Sequence, residues 1–98
     1  MAAYWGHRLI IATNGADGYA LAHESPDLIL VDINLPDIDG LTLTRKLRAE
    51  NVTVPIVAMT GDLLNYDRQQ ALQAGCNDFI EKPFTLETLE GLFNRYSA

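Results

Sequence analysis

The sequence predicts an α/β fold: an open parallel sheet with helices on both faces. Three observations carry that prediction. The stretch Leu28-Ile29-Leu30-Val31 is continuously apolar, as expected of a strand buried on both sides. Short apolar runs of this kind alternate with amphipathic stretches along the chain. The links between them are short and rich in Gly, Pro, Asn and Asp.

The first run is Arg8 to Thr13, "RLIIAT", closed by the turn pair Asn14-Gly15 and read as a strand. Ala16 to Glu24 follows as a helix with an inner face of Ala16, Tyr19, Ala20 and Ala22. Ser25-Pro26 ends it, because the residue before a proline is pushed out of the helical region. "LILVD" is the second strand, and Gly40 to Glu50 the next helix, with Leu43 and Leu47 on one side. Val54 to Thr60 reads as the third strand, with Pro55 tolerable near its start. A helix over Asp62 to Gly75 closes on a C-terminal glycine, and Asp78 to Lys82 is the fourth strand. Thr85 caps a last helix in which Leu86, Leu89, Leu92, Phe93 and Tyr96 recur at helical spacing. The reading is therefore four strands and four helices in alternation, one domain over residues 1–98, with residues 1–7 as an extension.

Composition excludes several function classes. Acids outnumber bases 13 to 7, a net charge of -6, so clustered cations for nucleic acid are lacking. The one basic cluster, "RKLR" at 45–48, is read as a solvated helix face. The apolar runs are too short to span a bilayer, and "MAAYWGH" has no signal-peptide pattern. The single cysteine, Cys76, forms no internal disulfide and points to a reducing, cytoplasmic setting. It has no adjacent basic residue to activate it, and reads as a small structural residue. No Gly-rich phosphate loop or nucleophile elbow is present. His7 and His23 lack metal-ligand spacing. A hydrolase or nucleotide-binding enzyme is therefore not expected.

Ligands of open parallel sheets bind at the carboxyl ends of the strands. Those ends carry Asp32, Thr60 and Lys82, each the first polar group after a hydrophobic run. A carboxylate, a hydroxyl and an ammonium on one edge could hold a phosphoryl group, with Asp32 as nucleophile, Lys82 neutralising charge and Thr60 donating a hydrogen bond. Any one of them alone reads better as a polite strand end.

The stretches "DLILVDINLPDIDG", "PIVAMTG" and "AGCNDFIEKPF" resemble the receiver domain of bacterial two-component response regulators, a flavodoxin-like fold. The resemblance covers residues 8 to 96. It implies that Asp32 is the phosphoacceptor, Thr60 the switch hydroxyl, Phe79 the switch aromatic and Lys82 the phosphoryl-neutralising lysine. It also implies a cis bond before Pro83, a loop built on Pro36, Asp39 and Gly40, a Gly61 that leaves room for the phosphoryl group, and Mg²⁺ held by Asp32 and the Asn34 carbonyl. The implied partners are a histidine kinase or phosphotransfer protein and a downstream target.

The chain departs from that family at its start. Members begin with a strand ending in two adjacent acids, then a helix; here residues 1–7 contain no acid and lead directly into what matches the second strand. The fold is accordingly expected to be truncated at the N-terminus. Magnesium binding should be weak or absent, since the ion is commonly held by one or two carboxylates. Asp37 and Asp39 are candidate substitute ligands, but better read as turn-shaping residues. In the family's strand order, 2-1-3-4-5, the absent strand leaves either a gap or a direct pairing of "RLIIAT" with "LILVD". Each stranded backbone group would cost about 1–3 kcal/mol. Self-association, as a homodimer or strand-exchanged dimer, is expected to bury the uncovered apolar surface. Tyr4 and Trp5 are candidates for covering it; the alternative is a disordered start. The competing function is a pseudo-receiver that signals by binding without phosphorylation.

Overall fold

The computed structural model describes residues 2–4 and 7–96, with side chains from Arg8 onward. Its elements are β1 (Ala2–Tyr4), β2 (His7–Ala12), α1 (Gly15–Ala22), β3 (Leu28–Asp32), α2 (Gly40–Ala49), β4 (Ile56–Thr60), α3 (Arg68–Ala74), β5 (Asp78–Glu81) and α4 (Leu86–Tyr96). The five strands form one sheet in the order β1-β2-β3-β4-β5. β2 to β5 are mutually parallel, and β1 pairs antiparallel with β2.

Of the two outcomes expected for the absent strand, direct pairing is the one found. β2 bonds to β3 in parallel, with Leu9 opposite Leu28 and Ala12 opposite Val31. The pairing satisfies the facing backbone groups of both strands, which an open gap would leave unmade. Residues 2–4 were expected only as part of an extension; they form an edge strand, with Ala2 opposite Leu9 and Tyr4 opposite His7. The side chains of Tyr4, Trp5 and His7 lie outside the described residues.

Alternation along the strands sends side chains to two cores. Ile10, Ala12, Ile29, Val31 and Ala58 meet Ala22 of α1, Leu41, Leu43 and Leu47 of α2, and Ala71 and Ala74 of α3. Leu9, Leu28, Leu30, Val57 and Met59 meet Leu89, Leu92 and Phe93 of α4. Among the described residues, three helices therefore cover one face and a single helix the other. Ile11 is 49% exposed although it follows Leu9 by two positions on the thinly covered side.

Several elements differ in detail from the sequence expectation. The inner face of α1 is Gly15, Gly18 and Ala22, while Ala16 and Ala20 face solvent. Gly18 is needed there because a Cβ would stand 2.9 Å from that of Ala12. The helix expected over 62–75 begins only at Arg68. Asp62 holds the preceding segment in a turn, accepting from the Asn65 N–H and side-chain amide. Asp67 and Gln70 then form a reciprocal capping box that starts the helix. Arg48 of the "RKLR" cluster is not on a solvated face. It is half-buried and donates to the carbonyls of Gly75, Val52 and Val54 and to Asn77 Oδ1.

Candidate functional site

Three neighbouring strands end at the same rim. Asp32 closes β3 and lies opposite Met59; Thr60 closes β4 and lies opposite Glu81, the last residue of β5. Lys82 follows at once, and its N–H donates to the Thr60 carbonyl at 2.9 Å. The Lys82 ammonium reaches across this edge and donates to Asp32 Oδ2. The other carboxylate oxygen, Oδ1, accepts the Asn34 N–H at 2.9 Å. Both side chains are partly open to solvent, Asp32 at 20% and Lys82 at 40%.

Thr60 is fully buried, and its hydroxyl accepts the Asp62 N–H at 2.9 Å. The structure thus brings Asp32 and Lys82 into direct contact and ties Thr60 to the lysine through the backbone. Phe79 is buried in the three-helix core. The Lys82–Pro83 bond is cis. Gly61 stands in the open: the nearest atom to a Cβ added there would be the Lys82 carbonyl oxygen, at 4.0 Å.

The loop after Asp32 is built from backbone contacts. The Gly40 N–H donates to the Ile33 carbonyl at 2.8 Å, and a Cβ on Gly40 would lie 2.9 Å from Ile33 Cα. Asp39 caps α2, accepting from the Leu41 and Thr42 N–H groups. Asp37 caps α1 from a distance, accepting from Gly15 and Ala16. The Gly15 N–H chiefly holds its carboxyl below the usual carboxylate range. The two acids weighed as substitute metal ligands are thus committed to helix N-termini.

Sequence reasoning missed one contact at this rim. Tyr66, from the turn between β4 and α3, donates its hydroxyl to Asp39 Oδ2 at 3.3 Å. It links the loop after Thr60 to the loop after Asp32. The Asp39 charge pushes the Tyr66 phenol upward. A tyrosine just before the capping aspartate of α3 was the available signal.

The donor set can be tested against the Mg²⁺ that receiver domains generally bind. Such an ion takes near-octahedral oxygens, one or two of them carboxylates. The Asp32 carboxylate is already paired with the Lys82 ammonium and also accepts the Asn34 N–H. Among the described residues no three His, Cys, Asp or Glu side chains are grouped to hold a metal. The residues present do not fit the ion.

An open sheet of four parallel strands with an antiparallel edge strand, flanked by helices and carrying acid, hydroxyl and lysine at its carboxyl edge, fits the receiver-type flavodoxin-like class. Residues 4–94 match the response regulator receiver domain family, and the chain belongs to it. It is 41% identical over 90 residues to hybrid signal transduction histidine kinase G of Dictyostelium discoideum, covering 88% of this chain and 3% of that protein. It is 37% identical over 83 residues to the transcriptional regulatory protein PhoP of Escherichia coli, covering 84% and 37%. Among solved structures, it is similar to the receiver domain of a Pseudomonas aeruginosa sensor histidine kinase that has a magnesium ion in its active-site cleft. That likeness has a TM-score of 0.77 at 37% identity, over 93% of this chain and 77% of the other. The chain thus spans well under two thirds of the curated relatives it matches. A eukaryotic relative stands beside a bacterial one, so the family does not mark the source as bacterial.

Proposed function

We propose that this chain is a phosphoacceptor module of a two-component relay, with Asp32 as the acceptor. A carboxylate oxygen of Asp32 attacks the phosphorus of a donor phosphohistidine. The phosphorus–nitrogen bond breaks, its electron pair returns to the imidazole, and an acyl phosphate forms on Asp32. Lys82 balances the charge on the phosphoryl oxygens, as a preorganised cation does. Thr60, next along the rim, can release the Asp62 N–H and turn toward the new phosphoryl group. With Phe79 on the following strand, that movement carries the signal to the surface. The chain does not turn over a substrate of its own.

The observation supporting this reading is the meeting of Asp32 and Lys82, 50 residues apart, at the carboxyl edge of the parallel strands. Family membership supports a histidine kinase or phosphotransfer protein as donor and a target protein as reader. A cytoplasmic setting accords with the unpaired Cys76, and among the described residues no helix is long and apolar enough to cross a membrane. Self-association through the thinly covered sheet face belongs to the same proposal.

Intact-mass spectrometry after treatment with acetyl phosphate tests the acceptor. The expected result is gain of one phosphoryl group, absent in Asp32→Asn. An unchanged mass, or an equal gain in the variant, removes Asp32 from the role.

A further inference from the structure

The acid at this rim is already matched by a cation. We infer that the acceptor site of this chain has no divalent-cation site, and that the Lys82 ammonium supplies its counter-charge in place of a metal. The inference rests on the reading of Asp32 as acceptor and concerns how that site is charged.

Three observations carry it. First, both oxygens of Asp32 are engaged: Oδ1 accepts from the Asn34 N–H and Oδ2 from Lys82. A dication on either oxygen would sit close beside that ammonium, and the two like charges would repel. Second, the other acids of the surrounding loops are in use. Asp37 is bound to Gly15 and Ala16, Asp39 to Leu41, Thr42 and Tyr66, and Asp62 to Asn65. Moving any of them toward a metal would strip a helix cap or a turn. Third, the usual source of further carboxylates, a strand between β2 and β3, has no room in this fold. The two strands are paired from Leu9–Leu28 to Ala12–Val31, and nothing can enter without breaking that ladder. Residues 1–7 contain no acid that β1 could contribute. The Pseudomonas receiver domain with magnesium in its cleft is 37% identical to this chain, so the difference would separate two members of one family.

The test uses the whole chain and two independent readouts. Calorimetric titration with MgCl₂ is expected to give only dilution heat through the millimolar range. Saturable one-to-one binding at millimolar or tighter affinity would overturn the inference. Mass gain from acetyl phosphate, in which Asp32 attacks phosphorus and acetate leaves with the bonding electron pair, is expected at the same rate in Mg²⁺ and in EDTA. A gain that requires Mg²⁺ overturns the inference while leaving Asp32 as acceptor. No gain in either buffer withdraws the acceptor reading, and the calorimetry still decides the metal question.

Discussion

Asp78 is nearly sealed from solvent yet gathers four partners. Arg68 and Arg95 pair with its two oxygens, the Tyr96 hydroxyl donates at 3.1 Å and the Phe79 N–H at 2.8 Å. Residues of α3 and α4 are thereby drawn onto β5. Burial pushes its carboxyl upward, but the Phe79 N–H, Arg68 and Tyr96 outweigh that and hold it below the ordinary value. A depressed folded-state value means that the ionised form is the stabilising one. Its contribution is complete above the unfolded carboxyl range near pH ~4 and is lost as pH falls through the lower folded value. Asp78→Asn should therefore lower stability by about 1–3 kcal/mol at neutral pH and flatten the acid limb of the stability profile, read by urea denaturation at several pH values. An acid limb unchanged from the parent would contradict this. Gly40→Ala belongs with it: the added methyl would press on the backbone of Asp32 and Ile33. A loss of about 1–3 kcal/mol is expected by thermal denaturation, since overpacking a rigid backbone contact cannot be relieved by a rotamer change.

The helices differ in how visibly their ends are written. Asp67, just before α3, and Gln70, three residues on within its first turn, fix the start of the helix. Periodicity alone starts that helix at Asp62, because the stretch is helix-compatible throughout; the Asp62–Asn65 turn wins locally by giving the backbone an alternative partner. Asp67→Ala should cost about 1 kcal/mol and lower helicity by circular dichroism. At the other end of α3, Gly75 has φ of 107°, as its C-cap role requires. A side chain there would be strained and would also meet Arg48 Cγ at 2.7 Å, an arginine fixed by its bonds to Gly75, Val52, Val54 and Asn77. Gly75→Ala is expected to destabilise by about 1–2 kcal/mol in chemical denaturation. The burial of Arg48 is hidden in the sequence because a charge cluster suggests solvent, while its fork geometry suits the carbonyls before β4 and after α3.

Across the whole molecule the asymmetry of the two sheet faces is the feature with consequences. Among the described residues α4 alone packs on one side, and Ile11 remains half exposed beside its core. Association that covers Ile11 would remove its apolar area from water. Sedimentation equilibrium is expected to show a concentration-dependent dimer, and Ile11→Asn should shift it toward monomer without unfolding the chain. A monomer at all concentrations would refute the expectation.

The sequence by itself determined the alternation of strands and helices, the two-faced burial of β3 and the residues at the strand ends. These depend on local periodicity and turn chemistry, which are written residue by residue. Only the tertiary structure decided that β2 would close directly onto β3, that residues 2–4 would add an edge strand, and that Lys82 would bond to Asp32. Backbone pairing uses groups that nearly every residue carries, so sequence marks which segments are strands but not which neighbour each one takes. That choice falls to the sum of buried backbone bonds and packed faces over the whole chain.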